Sequence, residues 1–142
     1  MERGRAVNVE DKGEVKIKQE TDIAMARRAI RDIAKKLGFG ITETARIVTA
    51  ASELSRNVFK YAGAGVMQWR TLTSGENKGV ELRFEDQGPG IADVNEAVRE
   101  GYSTGGGLGM GLPGAKRLMD EMEIDSTVGK GTRVTVRKWC RR

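Results

Sequence analysis

The sequence predicts an α/β fold of the two-layer sandwich type, with a mostly antiparallel mixed sheet carrying helices on one face. Two patterns predict it. Two long segments, 22–37 and about 42–62, repeat apolar residues at spacings of three and four, as a helix buried on one side requires. Two pairs of short alternating runs are each joined by a polar glycine-bearing turn, SGENKG or VGKGT, the pattern of hairpins. The resulting order is β-α-α-β-β-loop-α-β-β.

The elements follow in chain order. Residues 1–13 are polar and read as a flexible N-terminal tail, leaving 14–142 as one domain, the number this chain length favours. Glu14 to Gln19 alternates, with Val15 and Ile17 on one face. Thr21 and Asp22 offer N-caps for the first helix, Ile23, Ala26, Ile30, Ile33 and Leu37 form its stripe, and Gly38 is placed to end it. The second helix starts near Thr42, buries Ile47, Ala51, Leu54 and Val58, and closes at Gly63 and Gly65. Val66 to Leu72 and Val80 to Glu85 make the first hairpin. A short helix is expected over Val94 to Arg99. Gly101 to Gly109 is too glycine-rich for regular structure. Leu112 to Met122 reads as a third helix with Pro113 in its first turn, and Ile124 to Val128 with Arg133 to Trp139 form the last hairpin.

Composition narrows the chemistry. The 142 residues include no histidine, which excludes a Ser-His-Asp triad, histidine metal sites and a phosphorylatable histidine. The single cysteine, Cys140, permits no intrachain disulfide and suits a reducing cytoplasm. Residues 1–13 hold no apolar run for a secretory signal, and no stretch has the apolar length to span a bilayer. The net charge of +5 is spread, with clusters at Arg27, Arg28, Arg31, Lys35 and Lys36 and at Arg137, Lys138, Arg141 and Arg142. These read mainly as solvated faces, with a partner surface as the other reading. Glycine is the outlier, at 19 residues where about 10 are usual, and many fall between Gly88 and Gly114.

Four segments carry candidate chemistry. Glu53 and Asn57 stand four apart and share a helix face. The Asn oxygen suits Mg²⁺, and the Glu can take a proton from an attacking hydroxyl; a solvated polar pair is the plainer reading of this segment alone. Asp86, Gly88 and Gly90 follow a strand, where a carboxylate can accept a hydrogen bond from an exocyclic amine such as that of adenine, or simply cap a tight turn. Gly101 to Gly111 holds six glycines in eleven residues and runs into a helix. Backbone amides at a helix start can hold phosphates, and bare glycines let a lid move; a flexible linker is the alternative. No Gly-Lys-Ser/Thr follows, so this is no Walker A loop. Thr132 opens the last strand after Gly129-Lys-Gly and can bond to Asp86 or to a water, or merely favour a strand.

Taken in order, Glu53-x-x-x-Asn57, Asp86-x-Gly88-x-Gly90, Gly105-Gly-Gly-Leu-Gly-Met-Gly111 and Gly131-Thr132 resemble the boxes of the GHKL ATPase superfamily, which includes gyrase, MutL and sensor histidine kinases. The stretches AASELSRNVFKYAG, EDQGPGI and GYSTGGGLGMGLPGAKRLMDE further resemble the RsbT-type serine/threonine switch kinases of bacterial stress signalling, and the Leu-Pro-Gly-x-Lys-Arg-Leu-Met-Asp continuation resembles these over the RsbW-like anti-sigma kinases. The resemblance implies a Bergerat-type ATP site. In it Glu53 is the catalytic carboxylate and Asn57 the Mg²⁺ ligand. Asp86 meets adenine between Gly88 and Gly90, and Thr132 supports that end through water. Gly105, Gly106, Gly107, Leu108, Gly109 and Gly111 form the ATP lid. Arg56 or Lys60 is a further candidate near the phosphates.

The implied activity is transfer of the ATP γ-phosphate to Ser or Thr of STAS-domain antagonist and co-antagonist proteins of a stressosome. The released kinase would then activate a PP2C-type phosphatase. An anti-sigma factor, or another nucleotide-gated binding module with little turnover, is the alternative. A nucleic-acid binder rests on charge alone, and 5% aromatic residues provide few stacking platforms for bases. No membrane partner is expected.

Overall fold

The computed structural model describes residues 6–98 and 108–140, the backbone alone for 108–110. Its elements are β1 (Asn8–Ile17), α1 (Thr21–Leu37), α2 (Ile41–Ala62), β2 (Gly65–Ser74), β3 (Asn77–Asp86), α3 (Val94–Ala97), α4 (Leu108–Leu118), β4 (Glu121–Thr127) and β5 (Gly131–Cys140). The strands form one sheet in the order β1-β2-β3-β5-β4, and every described ladder is antiparallel. The mixed character expected from sequence is absent among these ladders.

Side-chain alternation divides the sheet into two unlike faces. Met67, Leu82, Phe84, Val134 and Val136 are buried against the helices, where the stripes Ala26, Ile30, Ala34 and Ile47, Ala51, Leu54, Val58 meet them in one core. The opposite face is ionic. There Glu81 is 2% exposed because Arg70 Nε reaches its Oε1 at 2.8 Å and Arg137 Nη2 its Oε2 at 2.7 Å from the two flanking strands. Burial alone would raise the Glu81 carboxyl, but the hydrogen bonds from Arg70 and Arg137 outweigh it and hold it below the usual carboxylate range. A depressed folded value contributes stability that is present above the unfolded carboxyl value and is lost as pH falls through the folded one. Glu81→Gln is therefore expected to cost about 2 kcal/mol at neutral pH, the two arginines being partly solvated, and to flatten the acid side of the stability profile. Urea denaturation across the acid range checks this; parallel profiles for the two proteins would refute it.

Several boundaries differ from the sequence reading. β1 begins at Asn8 and takes in residues 8–13, which composition had assigned to the tail. As an edge strand it needs only one bonded neighbour, supplied by β2 from Asn8↔Thr73 to Ile17↔Gly65, so it can stay polar and exposed without an apolar stripe. Thr21 and Asp22 do not cap α1. The N-cap is Glu20, without a side-chain bond, and Asp22 Oδ2 instead accepts from the Lys18 and Gln19 amides at 2.8 and 3.1 Å, fixing the turn from strand to helix. Gly38 does close α1, at φ 92°. α2 starts at Ile41, one residue before the expected start, with Gly40 as its cap.

α4 spans Leu108–Leu118 where Leu112 to Met122 was expected, so Leu108, Gly109 and Gly111 are helical and Pro113 lies inside the helix. Helix propensity disfavours those glycines, but packing overrides it: Leu112, Ala115 and Met119 are buried in the core. Its far end is fixed by a buried cation. Lys138, on the helix side of β5, donates to the Leu118 carbonyl at 3.1 Å and pairs with Glu43 of α2 at 2.9 Å. The chain then enters β4 at Glu121, three residues before the expected Ile124.

Candidate functional site

A cavity of about 260 Å³ opens between the C-terminal half of α2, the end of β3, the following loop, α4 and the start of β5. Its walls are apolar: Leu54 and Val58 from α2, Phe84 from β3, Ile91 from the loop, Leu112 from α4 and Val134 from β5. Helical spacing puts Leu54, Asn57, Val58 and Tyr61 on the same side of α2, while strand register puts Asp86 directly opposite Thr132. The polar groups on the lining are Asn57, Asp86 and Thr132, with Tyr61 at one side.

The hydrogen-bond pattern fixes what the floor offers. Asp86 Oδ1 accepts the Gly88 amide at 2.9 Å, a bond that folds the loop back on itself; a side chain at Gly88 would press on Ala62. Asp86 Oδ2 has no partner among the described residues and remains an acceptor. Ser126 Oγ receives the Ile91 amide at 2.8 Å and contacts the Gly131 carbonyl at 3.1 Å. Its single proton goes to that carbonyl, so across the 2.8 Å contact between Ser126 Oγ and Thr132 Oγ1 the threonine must be the donor. Thr132 therefore bonds to Ser126 rather than to Asp86, and its oxygen, having committed its proton, can only accept from a group in the cavity that it lines. Gly131, at φ 114°, abuts the Asp86 carbonyl, so only glycine lets β5 approach this closely. Two acceptors side by side on an apolar floor are suited to a flat ring that donates an amine hydrogen and a bridging water.

On the α2 wall of the cavity, Asn57 Nδ2 is buried and lacks a protein partner among the described residues. A Cβ on Gly111 would overlap that carboxamide, so α4 meets α2 here with nothing between them. A buried, unpartnered donor is costly unless something else satisfies it, and because nitrogen donors do not ligate a hard cation, any Mg²⁺ here would take the carboxamide oxygen instead. Among the described residues no group of three or more His, Cys, Asp or Glu side chains could hold a metal by itself, so any cation here would need most of its oxygens from water and ligand.

The predicted residues thus divide. Asn57, Asp86, Gly90 and Thr132 line one cavity, with Gly88 and Gly111 against its walls. Glu53 is not on the lining. It sits one turn before Asn57 with its side chain 32% exposed, paired with Arg56 at 3.0 Å. Gly105, Gly106 and Gly107 lie outside the described residues, and Leu108 and Gly109 start α4. Ser126 was missed, and a lone serine in a strand gives no signal of a hydroxyl relay. The apolar walls Ile91 and Leu112 were also missed as site residues; only their neighbours, the glycine motifs, could have pointed to them. No helix among the described residues is long and apolar enough to cross a membrane.

Comparison with known proteins shows the family and the fold. Residues 17–138 match the family described as Histidine kinase-like ATPase domain. The chain is 48% identical over 131 residues to serine/threonine-protein kinase RsbT of Bacillus subtilis (strain 168), covering 92% of this chain and 98% of that one. It is 33% identical to the anti-sigma F factor of Thermoanaerobacter sp. (strain X514), over 82% and 84% of the two chains. Among solved structures, the RsbU and RsbW domains of a Mycobacterium tuberculosis protein superpose with a TM-score of 0.60 at 18% identity, over 91% of this chain and 32% of that one. The mycobacterial sensor histidine kinase MprB gives a TM-score of 0.54 at 17% identity, over 90% and 97%.

Proposed function

The chain belongs to the Histidine kinase-like ATPase domain family, in its RsbT-type serine/threonine kinase branch, and from that premise we propose that it passes the γ-phosphate of ATP to a Ser or Thr hydroxyl on a STAS-domain antagonist protein in the cytoplasm. Once freed from that partner it activates a PP2C-type phosphatase. The observation that supports this most is the pair of acceptors, Asp86 Oδ2 and Thr132 Oγ1, on the floor of an apolar cavity. They suit the adenine 6-amino group and one bridging water. The total lack of histidine removes self-phosphorylation on that residue and leaves a partner's hydroxyl as the natural acceptor.

In this reading Asp86 selects adenine, Gly88 and Gly90 shape the loop beside it, and Thr132 holds water. Asn57 offers the carboxamide oxygen to Mg²⁺, which characteristically keeps several waters and binds through nucleotide phosphates; the bound cation would neutralise charge on the phosphates. Backbone amides of Gly105, Gly106 and Gly107, with those of Leu108 and Gly109 in the first turn of α4, are assigned to the phosphates, as glycine-rich segments leading into a helix hold them elsewhere; Gly111 serves instead by letting α4 close on Asn57. Glu53, off the cavity lining but one turn from Asn57, receives the proton of the incoming hydroxyl. Arg56 orients that carboxylate.

The second reading, an anti-sigma factor with little turnover, draws on the 33% identical relative of that name. One assay separates the two. Purified protein is incubated with γ-labelled ATP, Mg²⁺ and a STAS-domain antagonist protein, and the partner is mapped by mass spectrometry. Stoichiometric label on a partner Ser or Thr is expected. An unlabelled partner, together with a sigma factor held tightly in the presence of nucleotide, would favour the second reading.

A further inference from the structure

At the far end of α2 from the cavity, the groove between α1 and α2 has a composition that the nucleotide site does not explain. It measures about 310 Å³ and is lined by Arg31, Lys35, Phe39, Gly40, Ile41 and Thr44, with Ala45 beside them. Its floor is small or apolar. Ile41, the first residue of α2, is 92% exposed, an unusual place for a β-branched aliphatic side chain in water. Arg31 and Lys35 are one helical turn apart on exposed positions of α1, and neither has an ion pair or hydrogen bond among the described residues. Arg28 and Lys36 add two more exposed cations to the same helix. Where Arg46 nearby has an acid, Glu43 at 3.7 Å, these have none.

We propose that this groove is the docking site for the protein that accepts the phosphate, and that the partner presents an apolar side chain flanked by carboxylates. The inference rests on the kinase reading for the partner's identity. Charge complementarity supports the acidic partner: cations without internal partners gain most from carboxylates brought by another surface. Ile41 supplies the apolar anchor that cations alone lack. A second copy of the chain is disfavoured, because a twofold axis would bring like-charged faces together. Ile41 and Asn57 are sixteen residues apart on α2, about 24 Å along its axis, so partner choice is made well away from the phosphate and a variant here can alter recognition without touching the nucleotide.

The test uses the full chain, the STAS-domain antagonist protein of the same organism as probe, and three variants: Ile41→Asp, Arg31→Glu with Lys35→Glu, and a control, Lys12→Glu with Lys16→Glu, on the other face of the sheet. Partner affinity is measured by calorimetry, phosphate transfer by KM and kcat for the partner, and ATP affinity separately. Both groove variants are expected to weaken partner binding and raise KM at least tenfold, with kcat at saturating partner and ATP affinity unchanged. Wild-type binding should weaken with added salt, and the control should stay within twofold of wild type. Unchanged KM in the groove variants, a fall in kcat instead, or an equal effect of the control would overturn the proposal. So would competition for the groove by anionic vesicles or duplex DNA. Binding lost in the groove variants with no phosphate moved by any protein would leave the docking site standing and remove the kinase reading. Phosphate moved with KM unaltered would do the reverse, and a partner that neither binds nor accepts phosphate would remove both.

Discussion

Asp86→Asn is expected to weaken ATP binding about a hundredfold while leaving the folded protein as stable as wild type. The change is nearly isosteric, so its effect is one of hydrogen-bond direction. In the wild type both carboxylate oxygens are acceptors: Oδ1 is occupied by the Gly88 amide, and Oδ2, without a partner among the described residues, is left for a ligand in the cavity that Asp86 lines. An asparagine must place its amide nitrogen in one of these positions. If the nitrogen faces the cavity, it opposes the amine of adenine donor to donor. If it faces inward, it opposes the Gly88 N–H and the loop through Gly90 must move. Either arrangement loses a charge-assisted bond and leaves a donor unsatisfied, worth about 2–3 kcal/mol, hence roughly a hundredfold in affinity. Nucleotides carrying a carbonyl in place of the amine should lose less, because the new donor suits them. Calorimetric titration with ATP and with GTP, alongside thermal melting, checks both halves. An ATP affinity within threefold of wild type would remove Asp86 from the adenine site.

Why the sequence revealed some of this and not the rest is a matter of range. The stripe Ile47, Ala51, Leu54 and Val58 is visible because helical periodicity is local, and all four side chains are buried. Glu53 and Asn57 could be placed on one face by the same rule. Yet the rule says nothing about which way a long side chain turns, and Glu53 pairs with Arg56 and is not on the cavity lining. The pairing of Asp86 with Thr132 depends on the register of β3 with β5, set across 45 intervening residues, and no local pattern encodes it. Ser126 joins loop and hairpin only because that register exists. Two of the boundary differences have opposite causes. β1 was cut short because an edge strand can do without the apolar alternation that marks a strand, as NVEDKGEV shows. The start of α4 was placed late because glycine propensity was given its intrinsic weight, whereas tight packing of Gly111 on Asn57 rewards the absence of a side chain. The boxes at Glu53, Asp86 and Gly105 were legible as a set since each imposes a local need, for a carboxylate, a turn or a bare backbone; the meeting of Asn57, Asp86 and Thr132 around one cavity was not, because it depends on strand register and helix packing.

Glu53→Gln is expected to lower phosphate transfer to the partner by 10²–10⁴ fold, the usual range for loss of a general base, with ATP affinity within twofold of wild type. The position of Glu53 explains the split. Because the side chain is not part of the cavity lining, the nucleotide does not depend on it. Because it is 32% exposed and one turn from Asn57, a hydroxyl arriving from solvent on another protein can reach it. The pair with Arg56 at 3.0 Å is a partly exposed i,i+3 contact worth less than about 1 kcal/mol, so glutamine should fold normally. The size of the fall also discriminates between mechanisms. In a loose phosphoryl-transfer transition state the attacking oxygen is only weakly bonded and its proton leaves late, so the base contributes at the low end of the range and positioning supplies the remainder. A fall near 10⁴ would signal a tighter transition state with early proton transfer. Single-turnover transfer from labelled ATP, measured with nucleotide and partner both saturating, separates chemistry from binding. Retention of more than a third of the wild-type rate would show that Glu53 takes no proton, and the activating carboxylate would then have to be brought by the partner.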